Sequence, residues 1–204
     1  MFRVLSRFMA ALVAVLIVAP AVLGATPAIP PLNPPPPDFE TCHLAGLQTI
    51  CTGTRTIDAG LEPTGIMCGE GADAFEIYDD GGTLLQHATR WYDENGDLTK
   101  RLIGERWLDS AWTNLLTGAS VQYVQSGNIT EVLATPGDLG SATQTITGAT
   151  NFVLPGGAIV SAGRLVFDAD GTLEFESGHQ AFLAFESGDA SVFDPICEAL
   201  AGTP

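Results

Sequence analysis

Three short segments share one turn pattern, and this pattern constrains the fold of the chain more than any other feature. Each has an aromatic residue and an aspartate, then a glycine, then a leucine, in segments 78–84, 92–98 and 167–173. Glycine supplies the positive φ that closes a tight turn, and an aspartate carboxylate accepts hydrogen bonds from the amides of its own turn. Residues that favour β-strands flank each segment. The pattern therefore predicts three antiparallel hairpins.

Further strands are predicted where threonine, valine, isoleucine and glutamine dominate and glycine or proline lies between. These segments are 51–58, 110–116, 119–126, 129–134, 142–148, 150–154 and 158–167. The short, even spacing and the lack of a long helical period predict an all-β fold, an antiparallel meander closing into a lipocalin-like β-barrel.

A short C-terminal helix is the one helical element that we expect in the mature domain. Asp194 can cap it, Pro195 suits its first position, and Gly202 follows its end. The apolar residues Phe193, Ile196 and Leu200 would then share one face with Cys197, so the helix is expected to pack across the sheet.

The first 24 residues are typical of a secretory signal peptide. Arg3 and Arg7 precede an uncharged, mostly apolar run from Phe8 to Gly24. Cleavage is expected after Gly24, with Ala21 as a second candidate; the alternative is an uncleaved membrane anchor. The run contains Pro20 and is shorter than the ~20 residues that span a bilayer comfortably.

The remaining chain divides into a tether and one domain. Residues 25–40 are rich in proline and predict a stiff, extended spacer outside the core. Residues 41–204 are long enough for a single β-barrel domain. Without the first 24 residues, six basic residues stand against 24 acidic ones. Such a surface repels nucleic acid, and no other segment is apolar and long enough to be an integral membrane segment after signal cleavage.

The four cysteines, Cys42, Cys51, Cys68 and Cys197, predict two disulfide bonds, because an even count in an exported chain is typical of a disulfide framework. Three pairings are compatible with the sequence. We favour Cys51–Cys68 within one hairpin and Cys42–Cys197 between the ends of the domain. The sequence contains no Cys-x-x-Cys, so it does not support a zinc ribbon.

The hairpin around residues 94–96 carries the candidate ligand-binding residues. A three-residue loop would set His87 opposite Ile103 and Leu85 opposite Glu105. One face then carries the candidate set, which is Trp91, Trp107, Arg101, His87 and Glu105. Neither face is cleanly apolar, whereas an ordinary half-buried strand alternates sharply. Mixed faces beside tryptophans are typical of a barrel that lines a ligand cavity, and also of a long hairpin projecting into water.

Four of the six basic residues of the mature chain lie in this hairpin, at positions 90, 100, 101 and 106. They could receive a carboxylate or phosphate, or neutralise nearby acidic residues. The leading hypothesis is a secreted, non-enzymatic β-barrel that binds a small amphipathic or anionic ligand. One alternative is an extracellular or cell-envelope interaction module. The other is a barrel isomerase or hydrolase, which requires His87 or His179 beside a carboxylate. The sequence contains no catalytic, metal-binding or cofactor motif, and we expect no metal or cofactor.

The segment from Gly163 to Leu173, followed by Gly178-His179-Gln180 and by Cys197 in a final Ala/Leu-rich turn, resembles a family of small secreted actinobacterial proteins without assigned function. The resemblance covers most of the mature chain and implies export, but it brings no known catalytic residues. The expected barrel is similar in kind to those of lipocalins and allene oxide cyclases. That similarity is an analogy of architecture alone, because no motif of either family is present.

Overall fold

The structure is a computed structural model that describes residues 28–180 and 190–202. The predicted signal peptide at 1–24 lies outside the described residues. The strands are β1 (Glu40–Ala45), β2 (Gln48–Asp58), β3 (Leu61–Cys68), β4 (Phe75–Asp80), β5 (Thr83–Tyr92), β6 (Leu98–Asn114), β7 (Ser120–Leu133), β8 (Ala142–Leu154), β9 (Gly157–Phe167) and β10 (Leu173–His179), and the helix is α1 (Asp194–Ala201). Within the described ranges, no helix has the length and apolar character needed to cross a membrane.

All ten strands form one antiparallel sheet, in which most neighbours along the chain pair but β2 pairs with β5 and β4 pairs with β6. Strands β2 and β5 pair until Asp58 faces Thr83, and β3 and β4 resume the same register where Leu61 faces Asp80. Residues 48–68 and 75–92 therefore form a single long hairpin with a bend in its middle. Strand β6 follows this hairpin along its whole length and pairs with β5 and then with β4. The predicted antiparallel, all-β character of the fold is confirmed.

Closure into a barrel is not confirmed. The sheet has the order β1-β2-β5-β6-β7-β8-β9-β10, with β3 and β4 extending the β2–β5 hairpin. In the part of the chain that the structure describes, β1 and β3 lie at one edge and β10 at the other, and β10 pairs with neither of them. The fold is an open meander with a short C-terminal helix.

Two of the three predicted hairpin turns are confirmed, and each closes through an aspartate. The Asp93 carboxylate accepts hydrogen bonds from the amides of Asn95 and Asp97, both at 2.9 Å. The Asp168 carboxylate does the same in the β9–β10 turn. Side-chain acceptors of this kind replace the strand ladder where the chain reverses.

The third predicted hairpin, at 78–84, is wrong. Strands β4 and β5 do not pair but follow one another along β6. Gly82 has a φ of 57°, and a Cβ there would lie 2.3 Å from the Leu108 carbonyl oxygen. Glycine at this position therefore allows a bend between two strands that run in the same direction along β6, not a reversal.

The predicted disulfide pairing is also wrong, because the bonds are Cys42–Cys51 and Cys68–Cys197. Cys42 and Cys51 face each other directly in the β1–β2 ladder. Cys68 ends β3, which pairs with β4 and so lies at the far end of the long hairpin from Cys51. Helix α1 packs at that same end and brings Cys197 to Cys68.

The sheet has an inner face, which carries the buried side chains, and an outer face turned to solvent. The larger apolar cluster lies on the inner face beneath α1, where Trp112, Phe152, Ile196 and Leu200 pack together. Gly202 ends α1 in the left-handed conformation, as predicted, but Asp194 makes no capping hydrogen bond and lies inside the helix.

The proline-rich segment, predicted to lie outside the core, packs against the domain. Leu32 contacts the second apolar cluster, at the opposite end of the inner face, beside Tyr92 and Leu98. The Asn33 amide donates to the Gly96 carbonyl oxygen, and the Asn33 carbonyl oxygen accepts from the Leu98 amide, both at 2.8 Å. Residues 32–33 are therefore part of the folded domain, since backbone and side chain both bind the β5–β6 turn.

Candidate functional site

Four glycines lie side by side across the inner face. Gly127 faces Gly148, Gly148 faces Gly163, and Gly163 faces Gly178, so one row crosses strands β7 to β10. We call these residues the glycine row. Side chains alternate between faces along a strand, so the nearest rows on the same face lie two residues to either side. Those two rows carry side chains, whereas the glycine row does not. The result is a groove across the strands with a floor of bare backbone.

No larger residue fits in the glycine row. A Cβ on Gly148 would lie 2.6 Å from the Ser126 carbonyl oxygen, and one on Gly163 would lie 2.0 Å from the Ser177 carbonyl oxygen. Glycine inside a strand weakens it, and it commonly marks a bend or the close approach of another group. Here it permits close contact between adjacent backbones.

A half-enclosed cavity of about 320 Å³ lies over three of these glycines. Its volume is near the lower end of the range for small-molecule sites. One wall is apolar and the opposite wall is polar, because the two neighbouring side-chain rows differ in composition. The apolar wall is Ile129, Ile146 and Leu165, and the polar wall is Gln125, Thr150 and Ser161.

Glu105 closes the β6 end of the groove, directly opposite Gly127. Its Oε1 accepts a hydrogen bond of 2.9 Å from Nε2 of Gln86. The Oε1 of Gln86 in turn accepts a 2.7 Å hydrogen bond from Nε of Arg55, whose guanidinium lies 4.8 Å above the ring of Phe39. This series of side-chain contacts, from Phe39 through Arg55 to Gln86, fixes the Glu105 carboxylate at the mouth of the cavity.

Two of the inner-face arginines, Arg90 and Arg101, are already paired with carboxylates. Arg90 donates to Glu40 at 3.0 Å. Arg101 makes two hydrogen bonds to Glu131, which also accepts from Gln144 at 3.2 Å. Burial alone would raise the pKa of Glu131, but the hydrogen bond and charge of Arg101 lower that pKa below its ordinary value. These arginines therefore neutralise carboxylates of the protein itself.

The five predicted ligand-binding residues do not share one face. The predicted pairing holds at the turn, where Tyr92 faces Leu98, but Trp91 then faces Lys100. Thr99 is thus an extra residue in β6, a bulge that shifts every later pair by one and moves the side chains to the other face. The register that set His87 opposite Ile103 is wrong, since His87 faces Gly104.

As a result, Arg101, Glu105 and Trp107 lie on the inner face, whereas Trp91 and His87 lie on the outer face. Of the three inner residues, Glu105 lines the cavity. Trp107 packs beside Gly81, where a Cβ would lie 3.0 Å from its six-membered ring, and its Nε1 is buried without a hydrogen-bond partner in the described structure.

The side chain of His87 lies on the outer face and lines an open depression of about 650 Å³, which Glu105 also lines. Its ring nitrogens lie 3.2 Å from the Thr54 hydroxyl and 3.5 Å from the Thr89 hydroxyl. Both contacts are with hydroxyls, whereas the enzyme hypothesis needs a carboxylate beside His87 or His179. On the same face, the Lys100 ammonium lies 5.0 Å from the ring centre of Trp91.

No family model, no curated protein and no solved structure matches this chain. Among the residues that the structure describes, no group of three or more His, Cys, Asp or Glu side chains is placed to hold a metal ion. The groove was missed at the level of sequence, although its signal is visible there: Gly127 and Gly148 stand inside runs of strand-forming residues.

Proposed function

We propose that this chain is a secreted, non-enzymatic protein that binds a small amphipathic molecule in the groove over the glycine row. The observation that carries the proposal is the asymmetry of the cavity, with Ile129, Ile146 and Leu165 on one side and Gln125 and Thr150 on the other. An amphipathic molecule can satisfy both walls at once, because its apolar side leaves water while its polar side keeps hydrogen bonds.

The dimensions of the cavity limit the ligand. A water molecule takes ~30 Å³ of liquid volume, so about ten non-hydrogen atoms fill this site. Binding a larger molecule would leave part of it in solvent along the groove. The expected ligand is therefore a single ring or a short chain, not a long-chain lipid enclosed in a barrel.

Export is part of the proposal and has two supports. The chain forms two disulfide bonds, which persist in oxidising compartments. The apolar run after Arg3 and Arg7 has the form of a signal peptide.

Native mass spectrometry of the exported chain from its own source tests this proposal. The expected result is a co-purifying small molecule that is lost in Ile146→Phe, because the larger side chain fills the groove. The control is Thr145→Phe, because the side chain of Thr145 points to the outer face and the substitution adds the same bulk away from the groove. A ligand retained by Ile146→Phe, or lost equally in both variants, would contradict the site.

A second candidate is the interaction module, supported by the outer face. Three valines on neighbouring strands are exposed there, Val124 at 51%, Val153 at 63% and Val160 at 43%. Adjacent exposed apolar side chains favour contact with another macromolecule, and the expected partner is a second copy of this chain. This candidate predicts concentration-dependent association in analytical ultracentrifugation that Val153→Ser weakens, and a strictly monomeric chain would contradict it.

A further inference from the structure

We infer that the polar end of the ligand is a protonated amine, received by the carboxylate of Glu105. This inference rests on the proposed function, since it concerns the same groove, and it departs from the expectation of an anionic ligand. Glu105 is the only charged residue among those that line the cavity in the described chain. The ligand therefore meets one fixed negative charge and no positive charge on the walls.

The orientation of Gln86 is decided by its two hydrogen bonds. Arg55 can only donate, so the Gln86 atom that faces it is the amide oxygen, and the amide nitrogen faces Glu105. One N–H of this amide donates to Glu105, and the amide nitrogen presents no acceptor to the cavity. Because an ionised carboxylate only accepts hydrogen bonds, the ligand must supply the donors at this end of the groove.

Positive charge elsewhere on the inner face does not reverse this preference. Arg101 and Arg90 are each held by a carboxylate, Glu131 and Glu40 respectively. Arg55 lies two strands away from Glu105, about 10 Å at the usual spacing of strands, and its guanidinium packs over Phe39. At physiological salt, charges that far apart near solvent are strongly screened.

The preference is expected to be specific in geometry as well as in charge. A primary ammonium carries three donors on one atom and can bind Glu105 while it also donates to the carbonyl and hydroxyl oxygens of the groove. A carboxylate placed at the same point would meet a like charge and would leave its own oxygens without donors from Glu105. An alcohol is uncharged and can donate one hydrogen bond, so its affinity is expected to lie between those of the ammonium and the carboxylate.

Three matched probes test the inference on the full chain: phenethylammonium, 2-phenylethanol and phenylacetate, each near the size that the cavity admits. Binding is measured by methyl NMR shifts of Ile129 and Ile146 at 0.15 M salt, so that the overall charge of −16 contributes little. The ammonium is expected to bind about fivefold more tightly than the alcohol, the upper end for a partly exposed ion pair. Phenylacetate is expected to bind most weakly.

Two variants separate a local effect of Glu105 from the charge of the whole surface. Glu105→Gln keeps the size of the side chain and should bring the ammonium and alcohol affinities together. Glu94→Gln removes the same charge from an exposed hairpin tip and should leave the fivefold ratio unchanged. Equal binding of all three probes, or a ratio that survives in Glu105→Gln, would overturn the inference alone. No methyl shift with any probe would overturn the proposed function, and the inference with it.

Discussion

Removing the Cys68–Cys197 disulfide should destabilise the fold about twice as much as removing Cys42–Cys51. The two bonds close very different lengths of chain, with sequence separations of 129 and 9 residues. In the chain-entropy model, the cost of closing a loop grows with the logarithm of its length. At 25 °C the model gives about 5 kcal/mol for the longer loop and about 2.6 kcal/mol for the shorter one.

The comparison is matched in packing. Each bond has one cysteine that is almost fully buried, Cys51 at 0% and Cys68 at 2% exposure. The variants Cys42→Ala/Cys51→Ala and Cys68→Ala/Cys197→Ala each lose two sulfur atoms, so cavity terms are similar and loop length is the main difference. Alanine is chosen because a buried serine would add an unsatisfied hydroxyl.

Urea unfolding followed by tryptophan fluorescence measures the effect. With a slope of about 2.5 kcal/mol/M, the midpoint should fall by about 2 M for the long loop and about 1 M for the short one. A midpoint that falls equally in both variants, or further in Cys42→Ala/Cys51→Ala, would refute the loop-closure reasoning. A changed slope would show that the denatured ensemble itself had altered.

Three further predictions concern single residues. Gly148→Ala should cost about 1–3 kcal/mol in urea unfolding, because its Cβ would lie 2.6 Å from a carbonyl oxygen, whereas Gly156→Ala, with open space around it, should be neutral or slightly stabilising. Glu131→Gln should lose about 2 kcal/mol at pH 7. The native pKa of Glu131 is lowered, so this difference from wild type is present above its ordinary pKa of 4.5 and should vanish as the pH falls through the native pKa; a pH-independent difference would contradict the ion pair. Burial and the Asp79 carboxylate raise the pKa of Tyr123, so the native phenol keeps its proton where the unfolded one ionises. Wild-type stability should therefore fall above about pH 10, and Tyr123→Phe should flatten that decline in alkaline unfolding curves.

The turn chemistry at Asp93 and Asp168 could be predicted from sequence because it is local. An aspartate that binds the amides of its own turn needs no information from the rest of the chain. The end of α1 is local in the same sense, since Gly202 supplies the left-handed residue that stops a helix.

The bend at Gly82 could not be predicted, because its sequence is nearly that of a reversal. What decides it is β6, whose 17 residues are long enough to pair with β5 and β4 in line. The length of the strand that pairs with β4 and β5 is a property of the whole sheet, and segment 78–84 alone does not predict it.

The placement of the candidate residues and of the groove could not be predicted from the sequence, for two reasons of the same kind. One extra residue, Thr99, moves His87 and Trp91 to the outer face, and no feature of the sequence marks that bulge. Gly127 falls between the predicted strands 119–126 and 129–134, and Gly148 ends the predicted strand 142–148, whereas each lies in the middle of a longer strand. Their meaning depends on the cross-strand partner, since a glycine opposite a glycine leaves a groove.

The pairing of Cys42 with Cys51 also bears on the order in which the protein can mature. Synthesis proceeds from the amino terminus, so Cys68 emerges 129 residues before the only thiol that completes its native bond. During that interval two other thiols are present on the nascent chain. Because Cys42 and Cys51 face each other across a short hairpin, they can form their disulfide bond early, and they then no longer react with Cys68. The early Cys42–Cys51 bond thus leaves Cys68 free to pair with Cys197 once the C-terminal helix has been synthesised.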